Sequence, residues 1–366
     1  MELKNEFKPV TKQDWEAKLR AELRIGSDDS ISWKVNESLS LDPIYFKEDK
    51  SQIHLPKGEK NNNDWAISQA FNATALMRSN KTLLHALSKG LDAPKIICKK
   101  TPTQKEWTNM FKDVFLDYII IHFELSKDVK LHTFAKSFSK YLKNQKYKVK
   151  KIKGSIKSFM APSLKSILIT QDFLPKFKTL CLSANKSKRS SSDPIKLLSS
   201  TIIRLEQSIF SMKAQGFSPS KFRKLLFFEV KVDDLFFIEV AKIRALSILV
   251  QNVFEAYGLK TSIECPVHAI TSKKNYGPDQ HTNMIRSTTQ AMAAVIGGAD
   301  LIRIGSTTKS KHSKLSQRIA RNLQHILKME SQMHLVQDPA SGSYFIDKLT
   351  NEMVEKSWEA FKSNFE

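Results

Sequence analysis

The chain has 366 residues and a formal net charge of +22, from 59 Lys and Arg against 37 Asp and Glu. Hydrophobic residues make up 41 % of it, which excludes a disordered or fibrous chain. Cys98, Cys181 and Cys265 are too scattered for a disulfide scaffold or a Cys-x-x-Cys metal pair, and no apolar run approaches a membrane span.

Residues 1–25 read as a helix, with Thr11 as its cap and Trp15, Leu19 and Leu23 recurring every four residues. Residues 26–63 carry charges, Pro43, Pro56 and the run Asn61-Asn62-Asn63, the composition of a loop or arm. Residues 64–89 show helical periods. Lys95 to Cys98 reads as a short strand, 103–115 as a helix, Tyr118 to Phe123 as a buried strand and 127–141 as a helix. Ser166 to Ile169 and Phe177 to Leu182 are strand candidates, and 184–193 is a polar loop. A long helix from Pro194 to Gln215 is ended by Gly216 and Pro219. Leu225 to Val230 is a strand, 234–257 a helix, Ile263 to Ile270 a strand and 279–297 a helix stopped by Gly297 and Gly298. Leu301 to Ile304 is a strand and 312–331 a helix. A turn at Asp338-Pro339 and Gly342-Ser343 precedes a short strand, and a last helix spans about 350–364.

Strands alternating with helices of ten or more residues imply a parallel sheet with crossover helices, and their number favours closure. The expectation is an α/β chain built as a TIM-type (β/α)8 barrel, complete or degenerate, at residues 64–366, behind an N-terminal helical and extended arm at residues 1–63. No Gly-x-Gly-x-x-Gly or Gly-rich Lys-Ser/Thr loop supports a nucleotide fold. Met1 to Glu6 lacks a basic-then-apolar signal, so the expectation is a soluble cytoplasmic protein without a membrane partner. The surplus lysines, densest in Lys146 to Lys153, invite a nucleic-acid reading. They come without an RNP-like strand, a Cys/His finger or a recognition helix. A solvated basic face is therefore expected, and nucleic acid is not expected as a partner.

The C-terminal third carries a resemblance. Phe236 to Ala245 resembles a Phe-Phe-x-Glu-x-Ala-Lys-x-Arg-Ala helix, and His268 to Ser272 a His-x-x-Thr-Ser strand end. Asn283 to Gly298 resembles a helix ending Ala-Met-Ala-Ala-Val-x-Gly-Gly, Arg318 to Gln324 an Arg-Ile-Ala-Arg-Asn segment, and Asp338 to Thr350 an Asp-Pro-x-x-Gly-Ser-Tyr turn. These five, in this order, resemble the methylmalonyl-CoA mutase family over roughly residues 225–365, and more weakly back to about residue 64.

The resemblance implies a TIM barrel that threads a coenzyme A ester along its axis, with adenosylcobalamin on a separate domain in complete chains. The Asp-x-His-x-x-Gly signature of that domain, whose histidine would ligate cobalt, is not found in this sequence. No cofactor is therefore expected on this chain, and adenosylcobalamin is expected in a partner subunit. His268 stands at the family's active-site histidine, which contacts the thioester carbonyl. Around it the pattern departs. Ile270 replaces a glutamine, Lys274 a tryptophan, and Arg303 and Gly305 stand at a histidine and an asparagine. A tyrosine- and arginine-rich pocket segment is missing, and the loop at Ala184-Asn185-Lys186 stands where Asn-Ala-Gly is expected.

No catalytic residue is assigned, and no metal is expected. His268 and Arg303 are candidates for lining the old substrate cavity; by pattern alone His268 reads rather as a core or loop histidine, and it is the resemblance that sets it at the cavity. Arg286 reads as a structural arginine within reach of Asn283 or Asp279, and Trp15 and Trp33 as anchors for a partner or for local packing. The resemblance implies a small, non-catalytic subunit of a heterodimeric adenosylcobalamin-dependent methylmalonyl-CoA mutase, inactive alone. A large catalytic subunit is its partner, a CoA ester a weak ligand, and a homodimer its isolated form. The alternative is an independent acyl-CoA-binding protein, or a mutase half that needs a separate cobalamin-binding chain.

Overall fold

The computed structural model describes residues 10–26, 29–49, 55–56, 61–184, 193–260, 262, 264–307 and 313–365. The N-terminal helix α1, Lys12–Leu23, starts at a reciprocal capping box between Thr11 and Asp14. It buries none of its residues, so its Trp15, Leu19 and Leu23 repeat does not make a core face. A two-stranded ribbon, β1 (Trp33–Lys34) with β2 (Ser40–Leu41), then lays Leu39 and Leu41 into the main core.

A ring of parallel strands follows: β3 (Ala66–Asn72), β4 (Ala93–Cys98), β5 (Ile120–Leu125), β6 (Lys153–Lys157), β7 (Phe177–Lys178), β8 (Leu180–Ser183), β9 (Leu226–Val232), β10 (Val267–Thr271) and β11 (Leu301–Arg303). Their order is β7-β6-β5-β4-β3-β11-β10-β9-β8. β7 and β8 are one passage of chain broken at Thr179: the first part pairs with β6 and the second with β9. At the break the N–H groups of Thr179 and Leu180 both donate to the Leu225 carbonyl at 2.9 Å. Nine segments thus fill eight barrel positions, and the ring is mostly closed, as the alternating pattern predicts.

Helices pack outside: α2 (Ala73–Arg78), α3 (Lys81–Leu87), α4 (Gln104–Phe111), α5 (Leu131–Asn144), α6 (Leu164–Phe173), α7 (Pro194–Ala214), α8 (Pro219–Arg223), α9 (Phe236–Ala256), α10 (Gln280–Ile296), α11 (Lys314–His325) and α12 (Tyr344–Lys362). α4 is fixed by a Thr103–Glu106 capping box, and α7 by Asp193 capping ahead of Pro194 at its first turn. α11 runs on into a π turn at Ile326–Glu330.

Several local expectations are corrected. Residues 66–72 form the strand β3 rather than helix, because Ile67 packs outward while Ser68 lines the axis, a period of two. Ser166 to Ile169 lies in α6, capped by Ser163; that apolar run is too short to distinguish helix from strand. Lys153–Lys157 is an unexpected strand, preceded by a 3-10 turn at Val149–Lys151. Within it, Gly154 passes so close to β5 that a Cβ would lie 1.9 Å from the Ile121 carbonyl oxygen. β10 begins at Val267, and position 263 lies outside the described residues. After Asp338 no strand forms; Ser343 caps α12 directly.

Two apolar cores fill the space between strands and helices. One belongs to the β3–β7 half and centres on Trp107, ringed by Phe111, Phe123, Phe134, Phe138 and Tyr141 at centroid distances of 4.9–6.2 Å. The other belongs to the β8–β11 half and is built mainly from the Leu, Ile, Val and Ala of α7, α9, α10 and α12. Arg244 of α9 crosses this second core fully buried, donating Nη2 to Asp347 at 2.6 Å and Nη1 to Asp338. This contact ties α9 to α12 and to the turn before it.

Candidate functional site

In a covered barrel both faces of a strand are enclosed, so a charged residue at alternate strand positions has only the axis to face. β4 supplies Lys95, β5 His122 and Glu124, β6 Ser155 and Lys157, β9 Phe227 and Glu229, β10 His268 and Ile270, and β11 Arg303. Lys95 Nζ lies 2.6 Å from Glu124 and 3.1 Å from Glu229, and Lys157 Nζ 2.6 Å from the other oxygen of Glu229. Burial opposes ionisation of Glu229, but the ammonium groups of Lys95 and Lys157 outweigh it and hold the carboxyl below its ordinary range. Burial likewise opposes ionisation of Glu124, and Lys95 outweighs it. The ion pairs bridge the bore from β4 and β6 to β9.

His268 stands beneath this network. Its ring meets His122 edge-on at 4.8 Å and Phe227 at 4.8 Å. Burial, reinforced by Lys95, Lys178 and Arg303, pushes its imidazole down to about 3. Burial first, then His268 and Lys95, also depresses His122, which shares a 2.7 Å hydrogen bond between Nδ1 and Ser155 Oγ. Both rings are therefore neutral near pH 7. His268 and Arg303 are brought together, as the sequence suggested, but the space they line with Lys95, Glu229 and Ile270 is only about 20 Å³. That is room for about one water, where small-molecule sites span about 300–1,000 Å³.

Larger cavities lie at the two mouths. At the carboxyl ends, about 570 Å³ is lined by Lys231, Asp233, Asp234, Lys274 and the buried pair Glu239–Lys242, 2.5 Å apart. Lys274 thus puts a cation on the mouth where TIM barrels hold their chemistry. At the amino ends, about 410 Å³ is lined by Lys153, Lys176, Lys178, Lys224, His122 and His268. Neither barrel histidine fits a cobalt ligand, since each is enclosed by the other ring and by the strands around it. No group of three His, Cys, Asp or Glu among the described residues is placed to hold a metal.

Arg286 pairs with neither Asp279 nor Asn283. It donates to the Asn275 carbonyl, while Asp279 caps α10 through His281 and Thr282, and Asn283 holds Gly277 and Thr307. Trp15 is half-buried, and Trp33 is 54 % exposed. The sequence reading missed Lys95, His122, Glu124, Lys157 and Glu229. Their signal was present: lone polar residues two apart inside apolar strands, as in Ile-Ile-His122-Phe-Glu124-Leu.

The family model of methylmalonyl-CoA mutase matches residues 118–364, the barrel from the approach to β5 onward. The chain belongs to the methylmalonyl-CoA mutase family. It is 27 % identical to the methylmalonyl-CoA mutase small subunit of Porphyromonas gingivalis, over 98 % of this chain and 63 % of that protein. It is 24 % identical to a methylmalonyl-CoA mutase of Rhizobium meliloti, over 95 % of this chain and 57 % of that one. A probable methylmalonyl-CoA mutase small subunit of Mycobacterium bovis is 35 % identical over 37 % of this chain and 23 % of its own length. The chain therefore spans about three-fifths of the first two relatives. Ile270 and Arg303 fall on the axis, and Lys274 on the carboxyl mouth.

Proposed function

We propose that this chain is a small, non-catalytic subunit of a heterodimeric, adenosylcobalamin-dependent methylmalonyl-CoA mutase. The interconversion of methylmalonyl-CoA and succinyl-CoA then takes place in a large partner subunit that carries the cofactor. The carrying observation is the closed bore. A CoA ester threaded along the axis must displace the Lys95–Glu124 and Lys95–Glu229–Lys157 ion pairs, which leaves buried charges unpaired. Breaking such a pair costs about 3–5 kcal/mol, a large fraction of a protein's whole stability. His268 keeps the family's residue type, but its ring is packed between His122 and Phe227, and the axial space toward the carboxyl end beside it has no room for a thioester.

In this reading residues 1–63 form an arm toward the partner and the barrel from residue 64 forms the body. The test is co-expression of the tagged chain with the longer mutase homologue of the same genome, followed by assays with and without each chain. Copurification near equal stoichiometry, with turnover only when the large chain and adenosylcobalamin are present, is expected. Turnover by this chain once a free cobalamin-binding domain is supplied would establish the alternative, a mutase half with its own active site. Tight methylmalonyl-CoA binding by the chain alone would equally overturn the closed-bore reading.

A further inference from the structure

The amino-terminal mouth of the barrel is a separate chamber. Its floor is the His122–His268 pair, which together with the ion pairs above it cuts the chamber off from the carboxyl end. The chamber measures about 410 Å³, within the range of small-molecule sites. Ile120, Pro175, Pro266 and Leu301 give it apolar walls, and Lys153, Lys176, Lys178 and Lys224 line it as cations. Glu264 and Asp300 are the acids present. Glu264 lies 3.7 Å from Lys178, and Asp300 accepts the Val267 N–H at 2.7 Å. Among the described residues, no carboxylate lies within ion-pair distance of Lys153, Lys176 or Lys224.

Like charges gathered at one cavity repel one another, so a cluster with this imbalance gains when an anion enters. A second observation points the same way. His122 is 6 % exposed, yet its Nε2 has no hydrogen-bond partner among the described residues. An orphaned buried ring nitrogen costs about 1–3 kcal/mol unless something bonds it. Where Ser155 donates to Nδ1, the proton sits on Nε2, and His122 keeps one unbonded donor in the floor of the chamber it lines.

We propose that this chamber binds a small organic phosphate, its phosphoryl group held by Lys153, Lys176 and Lys224 above the His122 floor, its organic body against Ile120, Pro175 and Leu301. The chamber exceeds the size of a bare phosphate, and its apolar wall matches a short carbon skeleton. Because binding is read on the chain alone, this proposal stands or falls independently of the partner subunit.

The test is calorimetric titration of the full chain with glycerol 3-phosphate and, in a parallel arm, with orthophosphate, at low ionic strength. Saturable one-to-one binding of the ester, with a Kd of about 1 mM or tighter, is expected. Orthophosphate binding more weakly supports recognition of the carbon skeleton; equal binding reduces the ligand to the phosphoryl group and overturns the organic part of the proposal. The double variant Lys176→Glu/Lys224→Glu, both exposed positions, should lose binding at least about tenfold, one factor of ten being 1.4 kcal/mol. The control pair Lys140→Glu/Lys143→Glu on α5 should leave it unchanged. Nitrogen-15 histidine spectra should show the His122 and His268 signals moving as the ester is added. Absence of saturable binding, equal loss in both double variants, or unmoved histidine signals would each overturn the site.

Discussion

The two halves of the barrel are stabilised by different means. In the β3–β7 half, Trp107 and its aromatic ring contacts make a core almost free of charge. In the β8–β11 half, aliphatic packing surrounds buried ions: Arg244 with Asp338 and Asp347, and Glu239 with Lys242. The aromatic half holds by area and shape, so its losses are graded. The charged half holds by satisfied partners, so its losses are abrupt. Where the halves meet on the axis, the contacts are polar: Lys95 and Lys157 to Glu229, and His122 against His268.

The largest expected effect tests the charged half. Arg244→Ala leaves Asp338 and Asp347 without their common cation and should destabilise the chain by about 3–5 kcal/mol in urea unfolding. A loss under about 1 kcal/mol would show that the cluster is incidental. A smaller effect belongs to the aromatic half. Trp107→Phe removes the Nε1 donation to Ser137 Oγ at 3.0 Å and part of the ring volume, for about 1–3 kcal/mol. If it matched Arg244→Ala, the distinction between the halves would fail.

The effect that is smallest at neutral pH lies at the seam and emerges only as pH falls. His268 and His122 have folded-state values below the ordinary 6.5, so the unfolded chain binds their protons first. Their contribution is complete above about pH 6.5 and is lost as pH falls toward His268's value of about 3. Each histidine gives a slope approaching about 1.4 kcal/mol per pH unit. Between about pH 6.5 and 4.5 the histidines drive this loss, and Glu239, whose carboxyl burial raises above its ordinary range, opposes it. Below that, Glu124 and Glu229, also depressed, add their own loss. His268→Gln should flatten the upper part of the unfolding-stability curve, and an unchanged slope there would remove His268 from the seam.

The alternation of strand and helix and the five motif matches were legible because each rests on local spacing. The helix from Phe236 and the one ending at Gly297 carry their own periodicity and stops. β3 and β6 were not legible as strands: Ala66–Asn72 has small and polar residues where it faces the axis, and Lys153–Lys157 is read locally as charge. Likewise, Arg303 and His268 could be placed near one cavity from the motif alone, whereas the volume left beside them could not. That volume depends on Lys95, Lys157 and Glu229, which come from three different strands.

The sequence by itself determined the period of most elements, the family, and the residue types at the old site positions, because these are properties of neighbours along the chain. Only closure of the ring decided that charges more than a hundred residues apart, such as Lys95 and Glu229, meet across the bore and fill it. An ion pair across a barrel axis is set by distance in space, and no spacing along one strand encodes it.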